Sequence, residues 1–153
     1  MRFDIIKKDL IPSSMLNDRI QQLTSYKLES ILHGKTYWVH TDNNTPQSHE
    51  ICKKLFCDHV DQSVLYDDLN IEDLDFNYCV EVSFKPGVTD NTARSSKMAL
   101  IKKLQTNTLE VATGDIFFVK SQLDEDQILN VTKNSLANDL IQRVEIYNKK
   151  DII

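Results

Sequence analysis

Glycine and proline are scarce, three of each in 153 residues, and that scarcity removes whole classes of site. Neither common glycine-rich phosphate loop, G-x-G-x-x-G or G-x-x-x-x-G-K-[ST], occurs, so nucleotide binding by those motifs is excluded. No apolar run approaches the roughly 20 residues that cross a bilayer. The opening MRFDIIKKDL alternates into charge too quickly for a signal peptide, so a cytoplasmic protein without membrane contact is expected. Cysteine is limited to Cys52, Cys57 and Cys79, an odd number without paired spacing, which reads as reduced thiols. Positive charge is also short, 18 basic residues against 23 acidic for a net of −5. A general attraction to nucleic acid is therefore not expected.

What is present is globular composition, 41% hydrophobic and 27% charged. Arg2 to Lys7 reads as a strand, and Pro12-Ser13-Ser14 opens a helix whose apolar positions include Leu16, Ile20, Leu23 and Leu28. Ile31-Leu32 and Tyr37-Trp38-Val39 lie on either side of His33-Gly34, one long strand bent, bulged or turned at the glycine. Thr45-Pro46 is an N-cap followed by proline at the first helical position, and Ile51, Leu55 and Phe56 supply that helix's apolar face. Val60 to Tyr66 returns as a strand, followed by an acidic joint from Asp67 to Asp73.

The same order then restarts. Val80, Val82 and Phe84 alternate with Glu81, Ser83 and Lys85 as a strand with one buried face. Pro86-Gly87 breaks it, Asp90 is placed as an N-cap, and Ala93, Ser96, Leu100 and Leu104 follow at helical spacing. An offset of 80 pairs Gly34 with Gly114, Ile31 with Val111, Tyr37-Trp38-Val39 with Phe117-Phe118-Val119, Ile20 with Leu100 and Val64 with Val144. Most pairs keep apolar character, which predicts two β-α-β(β)-α-β repeats, 1–72 and 73–153.

Few constellations suit chemistry. His49, Cys52, Cys57 and His59 are zinc-ligand types, but their spacing matches no common finger or knuckle, so no metal site is expected. His33 and His40 have no carboxylate or nucleophile at recognisable spacing. Asp124-Glu125-Asp126 stands where a helix begins, with Gln127 at the capping-box position. Arg94, Lys97, Lys102 and Lys103 make one helix basic on its outer side. Each aromatic pair, Tyr37-Trp38 and Phe117-Phe118, straddles its strand, so one member belongs to the core and the other needs a second cover.

Lys85-Pro86-Gly87-Val88-Thr89-Asp90 and Ala99-Leu100, with Val111 to Gly114, Leu136-Ala137-Asn138 and Val144-Glu145-Ile146, resemble the PurS family, the small subunit of phosphoribosylformylglycinamidine synthase. Roughly residues 78 to 148 are covered. The chain departs from the family at Asn91-Thr92-Ala93, where D-P-x-G is usual at the helix start, and at Asp115, where a basic residue commonly follows the glycine; Lys35 keeps that residue in the first half.

The resemblance implies an α+β fold of two PurS-like repeats packed as a pseudo-dimer, with antiparallel sheets and helices on one face. It implies a non-catalytic part of the fourth step of purine biosynthesis, with no catalytic residue and no cofactor of its own; ATP, Mg and glutamine are used by the partner parts. The partners implied are synthetase and glutaminase subunits or domains, and a homodimer is compatible. Lys85, Pro86, Gly87 and Asp90, with Gly34, Lys35 and Gly114, are the candidate interaction residues. The alternative is a ferredoxin-like regulatory module that binds a small ligand.

Overall fold

The computed structural model describes residues 1–152. The elements are β1 (Arg2–Lys7), α1 (Ser14–Thr24), β2 (Ser30–Thr41), α2 (Pro46–Phe56), β3 (Gln62–Val64), β4 (Tyr78–Phe84), α3 (Asn91–Leu104), β5 (Leu109–Lys120), α4 (Glu125–Ser135), β6 (Gln142–Asn148) and the short α5 (Lys149–Ile152). The class is α+β. The strands form one antiparallel sheet in the order β3-β1-β2-β5-β4-β6.

Strand alternation sorts the residues between two faces. Phe3, Ile5, Val39 and Leu109 meet Cys52 and Phe56 of α2 and Leu100 and Leu104 of α3. On the same face Ile31, Val80, Val82, Phe117 and Val119 meet Ile20 of α1 and Ile128 and Val131 of α4. The four longer helices thus lie on one side as two pairs, α2 with α3 and α1 with α4. The opposite face carries Ile6, Cys79, Ile116 and Phe118, covered by Leu65, Ile71, Leu74 and Phe76 of the segment joining β3 to β4.

The caps follow the sequence. Ser13, Thr45, Asp90 and Asp124 each accept the backbone N–H three residues on, with capping boxes at Thr45/Ser48 and Asp124/Gln127. Three expectations need correction. β2 runs its twelve residues without a turn, in unbroken register with β5. Leu23 is exposed at 54% and Leu28, though buried, lies beyond α1. The strand expected from Val60 to Tyr66 shrinks to Gln62–Val64, because Asp58 ties the preceding residues into a turn by accepting the Val60 N–H and Tyr66 turns left-handed at φ 70°.

Local details recur at fixed spacing. Ser25 and Gln105, 80 apart, are both left-handed helix C-caps. In the turn before β3, Gln62 Oε1 accepts the Asp58 N–H and Asp58 O accepts the Gln62 N–H; Gln142 and Asn138 make the same two bonds before β6. At the sheet centre Lys35 lies opposite Asp115, Gly34 opposite Ile116 and Thr36 opposite Gly114. For the first strands and caps the spacing is 77 instead: Phe3 pairs Tyr37 where Val80 pairs Phe117, and the caps Ser13 and Asp90 differ by the same number. α3, at 14 residues against 11 for α1, absorbs the difference.

Candidate functional site

Among the described residues, two places on the sheet gather polar side chains from different strands. The first lies on the helix-bearing face between the two helix pairs. Asp115 Oδ1 meets His33 Nε2 and Lys35 Nζ, both at 2.7 Å, and the His33 ring stacks on Phe117 with centroids 4.7 Å apart. His33 therefore does have a carboxylate partner, contrary to expectation. Their 82-residue separation hides the pair, which the β2–β5 register brings together as diagonal neighbours.

Burial alone would raise the Asp115 carboxyl, but hydrogen bonds from His33 and Lys35 outweigh it and hold the group below its ordinary value. A carboxylate depressed on folding stabilises above its unfolded pKa, and that contribution is lost as pH falls through the folded value. Asp115→Asn is thus expected to lower urea stability at pH 7, and the gap to wild type should narrow only as pH falls below about 4. A gap that stays constant down to pH 3 would show that the charge contributes nothing.

The second place is the uncovered half of the opposite face. Arg2 Nε donates to Asp4 (3.0 Å), its terminal nitrogen reaches Glu81, and its guanidinium carbon lies 5.5 Å from the Trp38 ring centroid. Asp4 is buried and also accepts Thr36 Oγ1 at 2.7 Å. Two cavities adjoin here, about 410 Å³ towards Cys79, Tyr66 and Phe118 and about 600 Å³ towards Trp38 and Arg143, with Arg2, Glu81 and Tyr147 in both walls. A hydrogen bond to Glu145, with burial, pushes the Tyr147 hydroxyl up to about 12. Arg143 Nε donates to Ser83 Oγ at 3.1 Å.

The candidate interaction residues divide between fold and surface. Lys85, Pro86, Gly87 and Asp90 line the larger cavity, with Lys85 Nζ donating to Asp139 O at 2.6 Å and Gly87 at φ 85°, a conformation that suits glycine. Asp90 accepts the Ala93 N–H as cap and both the N–H and the hydroxyl of Thr113. Gly34 and Gly114 sit in mid-strand, where a Cβ on Gly34 would lie 2.8 Å from Ile5 O and one on Gly114 2.7 Å from Val82 O. Lys35 belongs to the first place.

The zinc-type residues serve other ends. His49 Nε2 pairs with Asp67 at 2.7 Å, and Cys52 and Cys57 are buried in the core. Among the described residues no three of His, Cys, Asp or Glu converge on a metal position, and no helix is long and apolar enough to cross a membrane. Burial pushes the Cys79 thiol up to about 12 and Cys52 to about 11. Because the thiolate is the reactive form, a thiol reagent at pH 8 should label the folded chain slowly at all three cysteines and fully in guanidinium. Rapid labelling of the folded chain would contradict their burial.

Arg2, Arg143 and Tyr147 were not singled out from sequence, and Trp38 only as half of the aromatic pair that straddles its strand. Their signal was present as polar or amphipathic residues on β1, β2 and β6, but without the strand order nothing joined them. The chain matches no protein-family model and no curated protein.

Proposed function

We propose that the chain is a PurS-like module of phosphoribosylformylglycinamidine synthase, two diverged repeats packed as a pseudo-dimer, docking synthetase to glutaminase without an active site of its own. The supporting observation is the central register: Lys35 opposes Asp115, positions 80 apart, and their neighbours exchange under the same offset. A two-fold axis between copies requires that pattern. The mirrored order β3-β1-β2 and β5-β4-β6 and the paired turns at Asp58 and Asn138 agree with it.

On this reading the half-open face, edged by Lys85, Pro86 and Gly87, is the docking surface. Size exclusion and pull-down with synthetase and glutaminase proteins, with and without ADP and a glutamine analogue, test it. Co-elution weakened by Lys85→Glu is expected; failure to associate under every condition would overturn the reading.

One observation favours the second reading, a small-ligand regulatory module: the cavity of about 410 Å³ is lined both by apolar side chains and by the charged Arg2, Asp4 and Glu81. Thermal-shift screening with amino acids and nucleotides decides it, since a ligand that binds the native state must raise the melting temperature.

A further inference from the structure

The two ends of the sheet differ in how their outer edges are finished. In β3 the Gln62 N–H donates to Asp58 O at 2.8 Å, and the Val64 N–H donates to Asp68 Oδ2 at 3.0 Å. With three residues and both outward donors occupied, that edge is closed.

β6 is seven residues long. Lys85 N–H donates to Ile141 O at 2.8 Å and Lys149 N–H to Asn77 O at 3.0 Å, so the odd-numbered residues turn their backbone towards β4 and the even-numbered ones away from it. The outward Gln142 N–H is taken by Asn138 O at 2.8 Å. The N–H groups of Val144 and Ile146 have no hydrogen-bond acceptor among the described residues. An open edge with free donors is a template for another strand.

We infer that β6 pairs antiparallel with β6 of a second copy of this chain, about a two-fold axis at Val144, joining two six-stranded sheets into one. The side chains select both the partner and the register. Ile141, Arg143, Glu145 and Tyr147 share the face away from the helices. With Val144 opposite its own copy, Arg143 meets the second copy's Glu145 twice over, and Ile141 meets Tyr147, both partly exposed at 38% and 37%. Unlike charges and apolar pairs thus face each other across the strands.

Moving the axis one residue either way sets Arg143 or Glu145 against itself. The free backbone groups fit as well: each Val144 N–H reaches the other Val144 carbonyl, and each Ile146 N–H reaches a Gln142 carbonyl. The one outward donor already used, at Gln142, would otherwise have met Ile146 O.

Sedimentation of the whole chain tests the pairing. Wild type is expected to dimerise with concentration, Arg143→Glu and Glu145→Arg each to raise the dissociation constant about tenfold or more, and the double exchange to restore it. Val144→Cys should give an intermolecular disulfide on mild oxidation, because Cα atoms across a hydrogen-bonded antiparallel pair lie about 5.5 Å apart. A chain monomeric at every concentration overturns the inference. So does a dimer indifferent to both single reversals, a double exchange no better than either single variant, or a Val144→Cys chain that does not cross-link. None of these results depends on the synthetase or the glutaminase.

Discussion

Gly34→Val is expected to cost about 3 kcal/mol, near the upper end for overpacking a core, and so to lower the melting temperature by about 6 to 12 °C. Gly34 passes beside β1 so closely that a Cβ would stand 2.6 Å from Ile6 Cγ2, 2.8 Å from Ile5 O and 3.0 Å from Ile116 Cγ2. The methyls have some freedom to shift, but the carbonyl belongs to the ladder holding β1 against β2. Relief must come from moving a strand. Gly87→Ala is the contrast, because nothing lies within 4 Å of its Cβ position and only the left-handed φ is strained; it should cost about 1 kcal/mol. Thermal melts of the two variants check both statements, and equal effects would contradict them.

Asp90→Ala should be nearly as damaging, about 2 to 4 kcal/mol from a lost N-cap of about 1 and buried Thr113 groups left without a partner. One carboxylate joins the start of α3 to the middle of β5, so its loss loosens a helix and a strand together. Asp90→Asn keeps an acceptor for the cap and should recover about half. Lys85→Ala, at the other end of the same turn, should leave the melt within about 0.5 kcal/mol of wild type. Chemical denaturation of the three variants separates the residue that holds the turn from the residue that the turn presents. If Asp90→Ala melted like Lys85→Ala, the double tie would carry no weight.

Much of the fold was legible because capping and alternation are local. Thr45-Pro46, Asp90 and Asp124 named their helix starts, and Val80, Val82 and Phe84 named a buried strand face. Non-local facts were illegible. His33 and Asp115 are joined only by register, and Arg2 reaches Glu81 only because β1 and β4 flank the central strands. Gly34 misled for a related reason: a small residue marks either a bend or a close neighbour, and nothing local distinguishes them.

The segment joining β3 to β4 has a geometric consequence. It crosses the face away from the helices once, and a single strand of chain cannot obey the two-fold axis that the proposed repeats would share. One half of that face is therefore roofed and its counterpart is not. Residues at corresponding positions of the two proposed repeats differ accordingly: Leu32 and Phe118 lie under or beside the roof, where Ala112 and Trp38 line the open cavity, and the roofed Ile6 and Cys79 answer to Ser83 and Arg2. On the proposed two-repeat reading, broken symmetry of this kind turns two equivalent surfaces into an interior and a receptive exterior. The open half, with its arginine and tryptophan, is free to acquire a role that its roofed twin has given up.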